Sequence, residues 1–270
     1  VVVMVDCSAS MAAVDAKGES RLGLAKDRVR EMVDGLRGRQ AMAVIAFSNT
    51  GRQMCGFTDN PRILDEAVDK IEVEDVPSRL EDAFRVAEGL NMTHPFNAVV
   101  VISDGNFPER TAFKLPFDDV NYQRLPAAEQ NAGITSLNAR RASRGRWDVL
   151  VQVDASPGHP VTGTLELELN GEPTDMQALV VEHPEPERLV FQVPGETASE
   201  LVVRLKPSGG DSLDSDNVAW LRVPRTRPVA VYVPEDMPTW RRAMRPVEDA
   251  ILYPREGTTP PDSYDLVITN

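Results

Sequence analysis

Hydrophobic residues follow two different patterns along this chain. Up to residue 105, continuous apolar runs alternate with stretches in which apolar residues recur at helical spacing. Continuous β-branched runs are typical of strands buried on both faces of a parallel sheet, and helical spacing indicates amphipathic helices. This alternation predicts an α/β fold, a doubly wound and mostly parallel sheet. The predicted strands cover residues 1–5, 41–47, 52–57 and 98–102, and the predicted helices cover 22–36, 61–71 and 80–90.

The helical period disappears in the second half of the chain. Residues 106–133 are rich in Pro, Asp and Asn and contain one weak predicted strand near residues 120–125. Apolar and polar residues then alternate, and Asn170-Gly171 is a strong hairpin signal. This pattern predicts an all-β, immunoglobulin-like sandwich built from segments 147–153, 162–169, 176–182, 188–193, 200–205 and 217–223.

The last residues return to the α/β pattern. A buried strand is predicted at 228–233, a helix at 239–250 and a further strand at 265–269. We interpret this as the start of a second α/β domain. The predicted domains are therefore residues 1–126, 134–224 and 228–270.

Charge and composition restrict the class of partner. The net charge of −13 is spread over both halves, with −5 in residues 1–126 and −8 in residues 127–270. An acidic surface argues against nucleic acid or anionic lipid as the main partner. No apolar run is long enough for a transmembrane helix. The chain starts without Met in one predicted strand and ends in another, so we expect it to be part of a longer protein.

Oxygen-bearing side chains follow two of the predicted strands. Asp6, Ser8 and Ser10 come directly after the first strand, and Asp104 follows the strand at 98–102. In doubly wound sheets, ligands bind beyond the carboxyl ends of the strands, so we expect these side chains to act together. Carboxylates and hydroxyls are hard oxygen ligands, which Mg²⁺ prefers. The pattern therefore predicts a divalent-metal site.

Ser78 allows two interpretations. It stands just before the predicted helix at 80–90 and can supply a further hydroxyl ligand. It can also cap that helix, with Glu81 three residues later, as in a capping box. A hydroxyl can serve in both roles.

These elements resemble the metal-ion-dependent adhesion site of von Willebrand factor type A domains. That family has Asp-x-Ser-x-Ser after the first strand, a Thr before a helix, and an Asp after a later strand. The resemblance implies a bound Mg²⁺, with Mn²⁺ or Ca²⁺ as alternatives, whose coordination an acidic residue of a protein partner completes. The residues that match are Asp6, Ser8, Ser10, Ser78 in place of the Thr, and Asp104.

The resemblance covers residues 1–126, although a further helix and strand usual in the family are not found. The domain order, with segments 131–141 and 214–220, also resembles bacterial membrane-anchored proteins of the aerotolerance (BatA-like) type. This implies an extracytoplasmic protein, attached to the membrane through segments outside this chain. It also implies cooperation with a MoxR-type AAA+ ATPase.

No enzymatic activity is predicted for these residues. Residues 228–270 resemble the start of a glutamine amidotransferase-like domain, which needs a nucleophilic Cys on a strand-to-helix turn. No Cys follows Cys55. A haloacid dehalogenase-type phosphatase would need a second carboxylate two residues after Asp6, where Ser8 stands. Two alternatives stay open: a structural scaffold without a functional metal, or part of an enzyme whose active site lies in a further C-terminal region.

The other polar residues are not predicted to form a functional site. The three histidines lie in unrelated Pro-flanked contexts and predict exposed loop positions. A basic cluster near residue 140 predicts a solvated strand edge or salt bridges. Three aspartates near residue 214 lack the Glu that a calcium-binding loop needs, because Arg222 stands at that position. These residues are His94, His159 and His183; Arg140, Arg141, Arg144 and Arg146; and Asp211, Asp214 and Asp216.

Overall fold

The computed structural model describes residues 1–38, 40–107, 115–126, 130–142, 145–158, 160–247 and 250–269. The chain divides into two compact units. Unit 1 comprises residues 1–131 with 210–215, and unit 2 comprises residues 132–209 with 216–270.

Unit 1 is an α/β layer structure, as the apolar pattern predicts. Its five-stranded sheet has the order β3-β2-β1-β4-β5, and β1, β2, β4 and β5 are parallel, whereas β3 runs antiparallel to β2. The elements are β1 (Val2–Asp6), α1 (Arg21–Asp34), β2 (Met42–Phe47), β3 (Gly51–Thr58), α2 (Pro61–Asp69), α3 (Leu80–Thr93), β4 (Val99–Ser103) and β5 (Val120–Arg124).

The sheet of unit 1 is covered on both faces. Strands β1, β2 and β4 are buried along their whole length, which explains why their sequences are continuous apolar runs. One face packs against α1 and α2 through residues such as Val29 and Leu64. The other face packs against α3 through Phe84 and Ala87. This burial fixes the carboxyl ends of β1 and β4 side by side.

Unit 2 contains two antiparallel sheets that share one hydrophobic core. One sheet has the order β10-β7-β6, and the other has the order β12-β11-β8-β9. Asn170 and Gly171 join β8 to β9 with φ angles of 54° and 86°, so the predicted hairpin is confirmed. The strands are β6 (Ala132–Ala142), β7 (Arg146–Ala155), β8 (Val161–Leu169), β9 (Glu172–Val181), β10 (Glu187–Pro194), β11 (Ser199–Pro207) and β12 (Val218–Val223).

Strand β6 is absent from the predicted segments. Its polar residues, including Arg140 and Arg141, hide the alternation in the sequence. The strand forms because it pairs along its length with the strongly apolar β7. The prediction of a further β domain is therefore confirmed, with one strand more than the pattern indicated.

The remainder of unit 2 is a small parallel sheet with the order β14-β13-β15. It contains β13 (Val229–Tyr232), α4 (Pro238–Met244), β14 (Ala250–Tyr253) and β15 (Leu266–Val267). The predicted helix over 239–250 is wrong in its second half, since α4 ends at Met244 and Ala250 begins a strand. Pro246 explains the early end, because it lacks the N–H that a helix interior requires. Within the described residues, no helix is long and apolar enough to span a membrane.

Candidate metal centre

Two neighbouring parallel strands bring the candidate site together. Val5 of β1 lies beside Ile102 of β4, so the next residues of both strands leave the sheet at the same edge. Asp6 is the last residue of β1, and Asp104 follows directly after β4. The sheet thus places both predicted carboxylates at its carboxyl edge, where ligands of doubly wound folds bind.

The loop after β1 folds back towards the Asp6 carboxylate. The Ser8 amide donates to Asp6 Oδ1 at 2.9 Å, and the Oγ atoms of Ser8 and Ser10 are 3.5 Å apart. A 3-10 turn, Ala9–Ala12, follows at once, and the Met11 amide donates to the Ser8 carbonyl. This turn holds both serine hydroxyls near the carboxylate.

Ser78 reaches the same carboxylate from a distant loop. Its hydroxyl donates to Asp6 Oδ2 at 3.1 Å. The Glu74 amide donates to the Cys7 carbonyl at 2.7 Å, and the Ala9 amide donates to the Val76 carbonyl at 3.1 Å. These two main-chain hydrogen bonds tie the loop before α3 to the loop after β1, and they fix the position of Ser78.

Of the two interpretations of Ser78, the one in which it caps α3 is wrong. The N-cap of α3 is Arg79, whose side chain makes no capping hydrogen bond, and the helix begins at Leu80. The Ser78 hydroxyl is turned to Asp6 instead. A carboxylate accepts a strong hydrogen bond from a hydroxyl, and the helix starts one residue later than a Ser78 cap would require.

Ser103 is a further contact of Asp6 that the sequence pattern missed. Its hydroxyl donates to Asp6 Oδ2 at 2.6 Å and accepts the Gly105 amide at 3.0 Å. Gly105 has a φ of +83°, a left-handed conformation that favours glycine. The signal available was a hydroxyl residue at the end of an otherwise apolar strand, directly before Asp104-Gly105.

Asp104 is held by an arginine at the start of α1. Arg21 Nη1 lies 2.5 Å from Asp104 Oδ2 and also donates to the Ser10 carbonyl at 3.1 Å. The Asn106 amide donates to Asp104 Oδ1 at 3.1 Å. Arg21 is the first residue of α1, where the helix macrodipole disfavours a positive charge. An arginine at this position therefore indicates a nearby carboxylate, and the sequence analysis did not use this signal.

Burial dominates the electrostatics of the site. The Asp6 side chain is fully buried, and this burial raises the pKa of its carboxyl above the ordinary value. The hydrogen bonds from Ser103 and Ser8 lower the pKa of Asp6 by less, and the negative charge of Asp104 raises it further. Burial likewise raises the pKa of the Cys7 thiol to about 11, so this cysteine is not a ready nucleophile or metal ligand.

The donor set fits a hard divalent cation. It consists of two carboxylates and three hydroxyls, all oxygen atoms, and a cation would relieve the repulsion that Asp104 exerts on Asp6. In the described part of the chain, no cluster of three or more His, Cys, Asp and Glu side chains could hold a metal. The candidate site is of a different kind, because serine hydroxyls supply most of its donors.

The sequence was also compared with known families. Residues 1–106 match the family model of the von Willebrand factor type A domain. This part of the chain is a von Willebrand factor type A domain. The resemblance recognised in the sequence is thereby confirmed for the A domain. A search of curated proteins found no match.

Similar solved structures include two bacterial proteins. BatB from Bacteroides thetaiotaomicron is 23% identical, with 40% of this chain and 55% of that chain covered and a TM-score of 0.34. An aerotolerance-related membrane protein from Bacteroides fragilis is 24% identical, with the same coverage and a TM-score of 0.36. The chain thus spans about half the length of both structures.

A third similar structure comes from an animal protein. Proximal thread matrix protein 1 of the mussel byssus, solved with a zinc-occupied MIDAS motif, is 19% identical to this chain. The match covers 38% of this chain and 28% of that chain, with a TM-score of 0.32.

The other polar candidates lie apart from this site. His94 is exposed at the end of α3, and His183 is exposed in unit 2. The exposed Arg140 pairs with the buried Asp148 on the sandwich, and Arg141 donates to the Arg227 carbonyl. The predictions for His159 and Arg144 concern positions outside the described residues.

Proposed function

We propose that the A domain is a metal-ion-dependent protein-interaction module. Mg²⁺, with Mn²⁺ or Ca²⁺ as alternatives, would be bound by the side chains at the carboxyl edge of the sheet, and an acidic residue of a protein partner would complete its coordination. The proposed ligands are Asp6, Ser8, Ser10, Ser78 and Asp104.

One observation supports this proposal above the others. The Ser78 hydroxyl comes from a loop more than seventy residues after Asp6, yet it lies 3.1 Å from Asp6 Oδ2 and leaves its own helix uncapped. Two main-chain hydrogen bonds hold that loop in place. Burial of a carboxylate disfavours its charged form, and the hydroxyls that converge on Asp6 offset only part of that cost. A bound cation would offset the remainder, which supports a metal site here.

We further propose that the module binds and does not catalyse. Asp6 and Asp104 are engaged by hydroxyls, amides and Arg21, so neither is poised as a general base towards a substrate. The alternatives are an A-domain scaffold without a functional metal, and an enzyme whose active site lies in a further C-terminal region. The scaffold alternative predicts that Asp6 variants keep partner binding.

The cellular setting is proposed on the resemblance to BatA-like proteins. We place the protein at the membrane, on the extracytoplasmic side, attached through segments outside residues 1–270. Its partner system would include a MoxR-type AAA+ ATPase. Co-purification of such an ATPase with the membrane-bound protein, and its loss with Asp6→Ala, would support this setting.

The experiment that tests the metal site is calorimetric titration with Mg²⁺ and with Mn²⁺. We expect saturable binding to the protein and its loss in Asp6→Ala and Asp104→Ala. Asp148→Asn is the matched control, because it removes a carboxylate that is also buried but lies in unit 2. Absence of binding to the well-folded parent would refute the metal mechanism and leave the scaffold alternative.

A further inference from the structure

Arg21 lies at the metal centre without being a ligand. Its Nη1 atom contacts Asp104 Oδ2 at 2.5 Å and the Ser10 carbonyl at 3.1 Å, and its Nε atom donates to the Pro126 carbonyl at 3.2 Å. The side chains of Arg21 and Asp104 are only 14% and 4% exposed. The guanidinium is thus fixed by three groups and little screened by solvent.

This arginine changes the charge balance of the site. Two carboxylates, Asp6 and Asp104, would neutralise a divalent cation. Arg21 adds one positive charge that no other carboxylate of the site offsets, so the loaded centre would be cationic. Arg124 also faces Asp104, but its Nε donates to the main-chain carbonyl and its side chain is exposed. Arg21 is therefore the cation with the stronger effect.

We propose that Arg21 is a specificity-determining residue of the metal centre. By pairing with Asp104, it keeps the loaded site positively charged, so the site prefers an anionic carboxylate over a neutral amide of the same shape. This inference rests on the proposed metal site and adds the cause of its ligand preference. Arg21 acts through charge, and the position of Asp104 alone does not produce the preference.

Charge and positioning can be separated with two variants. Arg21→Lys keeps the positive charge but loses the guanidinium fork that reaches Ser10 and Pro126. Arg21→Gln keeps an N–H donor but loses the charge. Arg28→Gln is the matched control, because Arg28 lies on the same helix and its Nη1 donates to the Arg124 carbonyl rather than to a carboxylate of the site.

The probes are acetate and acetamide, two nearly isosteric ligands that differ in charge. The Mg²⁺ dissociation constant of each protein is measured by calorimetry in either probe at equal ionic strength. A probe that binds the loaded site tightens Mg²⁺ binding by linkage. Acetate is used at about twice its dissociation constant for the Mg²⁺-loaded site, so for the parent we expect it to lower the Mg²⁺ dissociation constant about threefold. Acetamide at the same concentration should have little effect.

The outcomes distinguish the two proposals. Loss of the acetate preference in Arg21→Gln, with its retention in Arg21→Lys and Arg28→Gln, supports the role of the Arg21 charge. A preference that survives in Arg21→Gln, or that disappears equally in Arg21→Lys, overturns it while the metal site stands. Absence of saturable Mg²⁺ binding to the parent overturns the proposed function and this inference together. Circular dichroism of each variant verifies that it is folded.

Discussion

Replacing Ser103 with alanine should destabilise unit 1 by about 2–4 kcal/mol in the absence of metal. The buried Ser103 hydroxyl donates to Asp6 at 2.6 Å and accepts the Gly105 amide at 3.0 Å. A hydrogen bond to a charged group contributes about 1.5–3 kcal/mol, and an amide left unsatisfied costs about 1–3 kcal/mol. Gly105 is only half-buried, so water can satisfy part of that amide and the full sum is not reached.

The measurement must report unit 1 by itself. All three tryptophans, Trp147, Trp220 and Trp240, lie in unit 2, so their fluorescence reports the unfolding of the other unit. Native-state hydrogen exchange of the buried β1 and β4 amides measures the free energy of opening of unit 1 directly. We expect these amides to exchange faster in Ser103→Ala than in the parent, and the ratio of the two rates gives the loss of stability.

A second serine provides the control for Ser103→Ala. Ser199 in unit 2 is also buried, but among the described residues its hydroxyl makes long hydrogen bonds, of 3.5 Å, with Thr197 and Asn170. Ser199→Ala should therefore cost less than about 1 kcal/mol. If Ser103→Ala changed the exchange of β1 and β4 by less than about 0.5 kcal/mol, the assigned role of the Ser103 hydroxyl would be refuted.

Three further predictions follow from burial. Because burial raises the pKa of Asp6, its contribution to the stability of the metal-free protein is present below the ordinary carboxyl range and is lost as the pH rises through the folded-state pKa. Asp6→Asn should thus gain stability relative to the parent as the pH rises above the ordinary carboxyl range, and a pH-independent difference in hydrogen exchange would contradict this. Phe84→Ala should destabilise unit 1 by about 3–5 kcal/mol, measured in the same way, because Phe84 is 1% exposed in the core between α3 and the sheet. The buried Cys7 thiol, with a pKa of about 11, should react with iodoacetamide only after denaturation, whereas half-buried Cys55 reacts first; peptide mapping that finds native Cys7 alkylated would argue against this.

The sequence determined the layer architecture of unit 1. Short apolar runs such as residues 2–5 and Met42–Phe47, the first of them rich in β-branched residues, favour a strand covered on both faces, and both form such strands. The parallel order of such strands then places Asp6 and Asp104 at one edge, whatever the details of packing. The family match of residues 1–106 agrees with this interpretation.

The tertiary structure decided what each polar side chain contacts. Ser78 is a plausible helix cap in the sequence, but main-chain hydrogen bonds of Cys7 and Ala9 turn its loop towards Asp6. Ser103 and Arg21 carry no motif, yet both contact the carboxylates of the site.

The physical reason is the range of the forces involved. The alternation of apolar and polar residues is a local property, because burial of one face acts on neighbours within a single element. A hydrogen bond or ion pair depends on distances of a few ångströms between groups far apart in sequence, such as Asp6 and Ser103. The hydrophobic periodicity of the sequence therefore determined the helices, the strands and the edge of the sheet where the site lies. Only the packed fold determined which groups contact Asp6 and Asp104.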